Sequence, residues 1–525
     1  MQELITSCGA ETKRHLWGKL DMQSSTHTRS LLGSHLISEE LFVAKNARHA
    51  RLPKLYGVRP RSWRYMRVAI VCSEIDDASQ NVARHLLKRV PWTRCSEGPV
   101  QWTYRRFQLL MTKGRLIEQE ALDQSLNADV LIFVSRHLSE KRKGPVFTAH
   151  FTGDIAGSAH AGKIPTLARA APRALKLVVE TLKRLSSIEV LVEVTHHGPC
   201  AINTPSLFVE IGSSKAEWTD EALGDTMAQA ILALDSPSLA LSCATAVGFG
   251  GPHYAVRHTD VLLSSDICFG HIFATYQLER LAQETVEEAF EKSQAQFAYF
   301  DRKQMVASRD HMLSIVHDLG YEVLRRGDIE GRGGVSWELY LGVKRALRLC
   351  GVPSEGTRIH VSASLQDASN ARTSSMSRFE LKELGLNPAI IKLARTIDDE
   401  AVRQLIEIEK IVYLERKDGS IHAICVPKEL NLQDVQRALL LGCVDILKQR
   451  YEVEYSQPKS KLYISEHKFN ARLARSLGVA DGPLFAKLAR GEPIRINSKV
   501  IKPEDVFTKV RKAFDIANAD ELGQH

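Results

Sequence analysis

From Met66 onward the chain alternates short, wholly apolar runs with amphipathic stretches of helical spacing, and this alternation limits the fold more than any other feature. Residues 67–72 (RVAIVC), 129–134 (DVLIFV), 146–151 (VFTAHF), 188–194 and 207–211 (LFVEI) read as buried strands. Asp77–Arg89, Pro172–Leu185, 217–234 and 278–297 read as helices, and Pro172 opens one of them at a position where its missing N–H costs nothing. Strands interleaved with helices predict an α/β domain on a mixed, largely parallel sheet with flanking helices.

The alternation ends near Gly331, where GDIEGRGG marks a linker. The expected organisation is therefore a basic extension over 1–65, a main α/β domain over 66–330 and a smaller α+β domain over 335–525. In the last, Trp337–Leu349, 400–408 and 435–448 read as helices, 411–414 and 421–426 as strands, and the Ser- and Ala-rich 362–377 as a loop. The net charge of +8 is uneven: residues 1–65 hold eleven basic against five acidic residues, which leaves only +2 for the other 460. Any contact with nucleic acid must then come from local patches. The extension reads as disordered, as an organelle transit peptide, or as the product of a start placed too far upstream. No apolar run approaches the ~18 residues of a membrane helix, so no membrane segment is expected. Nine scattered cysteines without a Cys-x-x-Cys pair indicate neither a disulfide framework nor a zinc knuckle and suit a reducing, cytoplasmic setting.

Polar, chemistry-bearing residues gather where these strands end. Eight of the nineteen histidines lie between His137 and His271. The segment Glu193-Val-Thr-His196-His197-Gly198-Pro199 follows one strand directly, and ligands of open α/β sheets bind at the carboxyl ends of strands. Adjacent histidines on extended chain face opposite ways, so His196 and His197 need not share one ligand. Glu210 sits on an apolar strand, where a carboxylate needs a cation or a metal, or at least a structural ion-pair partner. The turn 212–214 leads into a helix and offers N–H groups to an anion. Gly248-Phe-Gly250-Gly251-Pro-His253-Tyr254-Ala-Val-Arg257-His258 joins a glycine turn to four functional side chains. Ser135-Arg136-His137 and His150-Phe-Thr152-Gly153-Asp154 close two further strands. This convergence points to an enzyme site. Each member also has a plainer reading: a hydrogen-bonded core histidine for His150, a tight turn for the glycines, surface charges for Arg136 and Arg257. Cys200 beside His197 offers a Cys–His nucleophile, with an inert thiol as the favoured alternative.

The set SRHLSEK, HFTGD, VEVTHHGP, PSLFVEIGSS-x-x-EW and GFGGPHYAVRHT resembles the D-aminoacyl-tRNA deacylases of the archaeal and plant type, over about residues 66–325. The segment 477–492 (LGVADGPLFAKLARGE) is similar to the C-terminal extension of the longer members. Cys200, Ala149, Lys141 and Val256 depart from the common pattern. The resemblance implies a fold like that of peptidyl-tRNA hydrolases and nucleoside phosphorylases. It also implies hydrolysis of the D-aminoacyl ester of tRNA, with removal of aldehyde-modified adducts in plant members, and Zn²⁺ as cofactor.

On that footing the expected catalytic residues are His196, His197, Glu210 and His253. The expected metal ligands come from His150, His196, His197 and Glu210. Ser135, Arg136, His137, Thr152, Gly250, Gly251, Tyr254, Arg257 and His258 are expected to bind substrate. Backbone N–H groups of 248–251 are candidates for the oxyanion hole, and Arg136 and Arg257 for the terminal phosphates. The attacking water is activated by metal, by a histidine or by the ribose hydroxyl. D-Aminoacyl-tRNA is the expected partner of a monomer with no obligate protein partner. The basic span holding Lys468, Arg472, Arg475, Lys487, Arg490 and Arg495 suits tRNA phosphates or is a solvated face. A peptidyl-tRNA hydrolase-like esterase and a non-catalytic tRNA-binding protein stand as alternatives.

Overall fold

A computed structural model describes residues 66–140, 142–155, 166–235, 243–371, 380–456 and 459–516. The 1–65 extension, and with it the targeting expectation, lies outside the described residues. Strands β1 (Val68–Ser73), β2 (Thr93–Arg94), β3 (Trp102–Tyr104), β4 (Phe107–Thr112), β5 (Val130–Leu138) and β6 (Val146–His150) belong to one eight-stranded sheet. The short strands β7 (Gly153–Asp154) and β8 (Thr166–Leu167) pair with each other, and β9 (Glu189–Val192) and β10 (Ser206–Ser213) complete the large sheet. Its order is β2-β3-β4-β1-β5-β10-β6-β9. The centre, β4-β1-β5-β10, is parallel; β6 runs antiparallel to β10, and β9 is parallel to β6. At the other edge β2–β3 and β3–β4 are antiparallel, so the sheet is mixed, with a parallel centre.

Why these strands read as unbroken apolar runs is plain from their burial. Every position of β1 and β10 is buried. Val68, Ile70 and Cys72 enter the core on one face, Ala69 and Val71 the core on the other, as the two-residue period of a strand requires. On the first face Asp77–Arg89 and Glu221–Leu232 pack together over β1, β5 and β10. Asp76 caps the first of these helices by accepting from the Ser79 N–H at 2.9 Å, and Lys88 and Arg89 sit at its negative end. The two helices approach closely because residue 224 is glycine; a Cβ there would collide with the side chain of Asn81. On the second face Phe133 and Phe208 stack with centroids 4.9 Å apart.

Several expectations change. The stretch 217–234 is not one helix: Asp220 accepts from the N–H groups of Ala222 and Leu223 and starts a new helix after Lys215–Trp218. The stretch 278–297 holds the helix Gln283–Ser293 and then turns into strand. A second sheet, all parallel, was not foreseen: β11 (Ala244–Phe249), β12 (Ile267–Phe273), β13 (Phe297–Phe300) and β14 (Glu322–Leu324), in the order β12-β11-β13-β14. The glycine stretch at 327–334 contains a helical turn, and its Asp328 is buried and bonded to Lys344 at 3.1 Å. The large core cluster also takes in Leu339, Tyr340 and Val343. The expected loop at 362–377 opens with the helix Ala363–Ala371, and 372–379 lie outside the described residues.

Farther along, β15 (Arg358–Val361), β16 (Leu381–Glu383), β17 (Val412–Glu415) and β18 (Ile421–Pro427) form an antiparallel sheet. After it come β19 (Glu452–Ser456), β20 (Lys461–Phe469), the hairpin β21 (Ile494–Ile496) with β22 (Lys499–Ile501), and β23 (Phe507–Asp515). Among the described residues no helix is long and apolar enough to cross a membrane.

The Phe133–Phe208 stack joins the two central strands, so Phe133→Ala is expected to cost about 3–5 kcal/mol. Urea unfolding of the variant beside the parent chain measures it; a loss under about 1 kcal/mol would show that the stack is not part of the stabilising core.

Candidate active site and metal centre

Four strand ends meet at one place. Ser135 and His137 come from β5, Thr148 and His150 from β6, Glu193 to His197 from the chain leaving β9, and Glu210 from β10. The register makes this meeting unavoidable: Glu210 lies opposite Ser135 on one neighbour and Thr148 on the other. All three side chains project to the same face. Glu210 Oε1 accepts from the Ser135 hydroxyl at 3.1 Å, and Oε2 accepts from Thr148 at 3.2 Å and faces His137 Nδ1 at 3.3 Å. Residue 212 must be glycine, since a Cβ there would come within 2.7 Å of the His137 ring.

Burial would raise the Glu210 carboxyl, but the hydrogen bonding to it, that of His137 foremost, outweighs burial and holds it well below the ordinary range. Glu193 goes the other way. Burial, then the charge of Glu210, pushes its carboxyl well above the usual value. Both its oxygens are buried without a hydrogen-bond partner. Around them stand His137 Nδ1 at 3.4 Å, His196 Nε2 at 3.8 Å and His253 Nε2 at 3.8 Å. His137 therefore lies between two carboxyls of opposite tendency, and its Nε2 meets the Tyr254 hydroxyl at 2.8 Å.

Three imidazoles cluster beside this pair. The ring centroids of His150 and His196 are 4.1 Å apart, those of His150 and His197 4.8 Å, and those of His196 and His197 4.5 Å. In each ring Nδ1 faces a backbone carbonyl: Phe151 at 3.1 Å, Val194 at 2.7 Å and Gly198 at 2.7 Å. A carbonyl can only accept, so Nδ1 carries the proton and Nε2 keeps a lone pair. His150 Nε2 is buried and unpartnered. Burial, reinforced by the neighbouring histidines, keeps His196 well below its ordinary pKa and His197 at about 4. His197 holds its place in the left-handed region, φ +42°, a strained backbone of the kind found at functional sites.

Neutral imidazoles oriented by carbonyls, next to a buried carboxylate, are the donor set of a transition-metal site. Among the described residues, three groups have ligand atoms within 4.8 Å of one another: His150–His196–His197, Glu193–His196–His253 and His137–Glu193–Glu210. The residues present fit a metal ion.

Of the residues singled out in the sequence, Ser135, His137, His150, His196, His197, Glu210, His253 and Tyr254 are brought together. Thr152 is buried beside them with its hydroxyl unpartnered, next to Gly153, whose N–H donates to the His197 carbonyl. Others are placed elsewhere. Arg136 leaves β5 on the opposite face, over the Trp218 ring at 5.2 Å and 3.8 Å from Asp76. Arg257 is paired with Asp301 at 2.5 Å. His258 is buried between Phe269 and Tyr299 of the large core and packs against Gly248. Gly250 and Gly251 are left-handed, φ +93° and +96°, but their N–H groups are bound to Phe273 O and Thr275 Oγ1. Neither N–H is free for an oxyanion. The Cys200 thiol is raised by burial, and its sulfur meets the His197 carbonyl rather than an imidazole nitrogen, so no Cys–His nucleophile is built. Glu193 and Thr148 carry no role in the sequence reading. For Thr148 the signal was the two-residue spacing from His150, and for Glu193 a charge at the end of an apolar run.

Fold and site together define an α/β protein with a histidine–carboxylate centre at its strand ends. The family model for D-aminoacyl-tRNA deacylase matches residues 124–324. A D-aminoacyl-tRNA deacylase of Methanococcoides burtonii is 34% identical over 474 residues, 86% of this chain and 97% of its own length. One of Methanosarcina acetivorans is 37% identical over 294 residues, 52% of this chain and 97% of its own. A crystal structure of a conserved protein of unknown function is 32% identical, with a TM-score of 0.46, and covers 51% of this chain and 97% of that one. The chain belongs to the D-aminoacyl-tRNA deacylase family.

Two fully buried histidines outside the centre set an acid limit. Burial drives His258 and His271 down to about 3. Folded, they stay neutral; unfolded, they bind protons from about pH 6.5 downward. Stability therefore falls as pH drops from about 6.5 toward 3, by roughly 1.4 kcal/mol per pH unit for each. In His258→Leu the slope of unfolding free energy between pH 6 and 4 should be shallower by about one proton. Urea titrations across that range read the slope, and an unchanged slope would rule the account out.

Proposed function

We propose that the chain hydrolyses the ester joining a D-amino acid to tRNA, which releases the free D-amino acid and tRNA. Family membership supports this activity. The observation that carries it to particular residues is the convergence of β5, β6, β9 and β10 on Glu193, Glu210 and the surrounding imidazoles. The enzyme is a carboxylic ester hydrolase acting in translation quality control. Zn²⁺ is the proposed metal, with His150, His196 and His197 as the favoured holders and Glu193, Glu210 and His253 completing the donor set. When bound, such an ion supplies Lewis acidity and a water acidic enough to attack at neutral pH.

The chain's own residues do the rest. Glu210, held ionised by its hydrogen bonds, fixes His137, Ser135 and Thr148 around one face of the site. Glu193 is positioned to take or give a proton at Oε, with His196 and His253 3.8 Å away. Water adds to the ester carbonyl and loses a proton to this histidine–carboxylate set. The bond to the ribose oxygen then breaks, and that oxygen takes a proton back. The Tyr254 hydroxyl, bonded to His137, is the proposed donor. Arg142, over the Tyr254 ring at 5.3 Å, lends positive charge to this wall.

The assignment of catalysis to 66–330, with 335–525 as an extension, belongs to the proposal, as do a monomeric state and a cytoplasmic setting. The free cysteines support a reducing compartment. A finer kinship with peptidyl-tRNA hydrolases and nucleoside phosphorylases is likewise proposed, supported by the mixed eight-stranded sheet.

Matched D- and L-tyrosyl-tRNA, assayed with the purified chain, test the reading. The D-ester should be cleaved selectively, chelator should abolish cleavage, and added zinc should restore it. His196→Ala should slow cleavage by roughly 10²- to 10⁴-fold with the fold retained. Equal hydrolysis of both esters, or of neither, would overturn the reading.

A further inference from the structure

Between β20 and β23 the chain departs from the sheet and returns. The two strands pair along their whole length, from Lys461 opposite Asp515 to Phe469 opposite Phe507. β19 pairs only with Lys461–Ser465, so beyond Ser465 a two-stranded ribbon continues without a third strand. Leu462, Ile464 and Ile516 root the ribbon in the core of the preceding residues. Of the nine paired residues of β20, the last four, Glu466–Phe469, form this two-stranded ribbon, which at ~3.4 Å each is about 14 Å long. At its tip residues 470–506 fold around a small core of their own, Ala474, Val479, Leu488, Ile494, Ile501 and Val506. The cation–π contact of Arg475 with Phe485 at 5.2 Å seals its edge.

Charge sets this tip apart. Residues 470–506 hold seven basic and four acidic residues, +3, so the remainder of 66–525 stands at −1. On the ribbon and its root most cations are met by acids, Lys461 by Asp515, Lys468 by Glu466, Lys509 by Glu452 and Arg511 by Glu454, and Lys512 alone is exposed without an ion pair among the described residues. At the tip Asp481 takes Arg475, Glu492 takes Arg490, Glu504 takes Lys502, and Asp505 accepts the Lys502 N–H. Every acid is then in use. Arg472, Lys487, Arg495 and Lys499 are exposed and, among the described residues, have no ion pair. They come from two helices and both strands of a hairpin. Large exposed hydrophobics on the tip are confined, among the described residues, to Leu484 and Val500, too few for the apolar centre of a protein interface. Dispersed, unpaired cations on a module with its own small core, joined to the rest through the β20–β23 pair, suit a continuous polyanion.

We propose that the 470–506 module grips the phosphate backbone of the tRNA substrate through Arg472, Lys487, Arg495 and Lys499. The proposal rests on the reading of the strand-end centre as a tRNA ester hydrolase. The module gives binding, not chemistry, so it lowers KM for whole tRNA and leaves the bond-breaking step alone.

The test uses the full chain carrying R472E, K487E, R495E and K499E together, with a glutamine quartet as the milder second variant. Binding of uncharged tRNA is measured at several salt concentrations, beside kcat and KM for D-tyrosyl-tRNA and for the short ester D-tyrosyl-adenosine. The glutamate quartet should weaken tRNA binding roughly ten- to hundredfold and flatten the salt dependence by about three. KM for D-tyrosyl-tRNA should rise with kcat kept, and the short ester should be cleaved as before. The glutamine quartet should shift the same way by less. If tRNA affinity and its salt dependence are unchanged in both variants, the proposal fails, whatever the deacylation result, and an acidic protein becomes the better partner for the tip. If the parent chain cleaves no D-ester but the quartets still lose tRNA affinity, the ester-hydrolase reading fails and the RNA grip survives.

Discussion

The arrangement hangs on one buried carboxylate. Glu210 sits in the middle of an eight-stranded sheet with both neighbouring strands paired to it, where an ionised group survives only if its oxygens are satisfied. Ser135, Thr148 and His137 satisfy it, and each comes from a different register position of β5 or β6. This fixes the relative height of three strands. It also fixes His137 and, through His137, Tyr254 and the orientation of Glu193. A carboxylate placed for chemistry thus sets the local register as well.

Around it the centre divides its labour by protonation. Two carboxyls share His137 Nδ1, one held ionised by imidazoles and the other pushed toward its acid form by burial and by its partner's charge. The neutral histidines are oriented by main-chain carbonyls, so their geometry is set when the chain folds. Such preorganisation is what a site needs if it is to act without rearranging at the moment of reaction.

Much of this was legible before any coordinates. The runs 68–72 and 130–134 announce themselves because strands buried on both faces have little room for polar residues. His196, His197 and Glu210 stand out for the opposite reason: they are polar where the pattern demands apolar. The second sheet is not legible because 244–249 (ATAVGF) is short, small and glycine-containing, and periodicity alone does not separate such a run from a helix or a turn. Arg136, Arg257 and His258 were expected at the site from proximity in sequence. Strand alternation carries Arg136 to the far face, while Asp301 and the aromatic pair Phe269 and Tyr299 hold the other two. Glu193 is not legible in the sequence because only the tertiary fold reveals that both its oxygens are buried without a hydrogen-bond partner and ringed by histidines.

The pairing of Phe469 with Phe507 has a consequence for the history of the chain. An insert whose ends leave and re-enter side by side can be gained or lost without moving the strands that carry it. Closing the ribbon directly at that point would need only a short turn, and β20 and β23 would keep their ladder. The tip is therefore a separable unit, one that evolution can exchange or an engineer can graft, while the sheet holding the centre stays as it is.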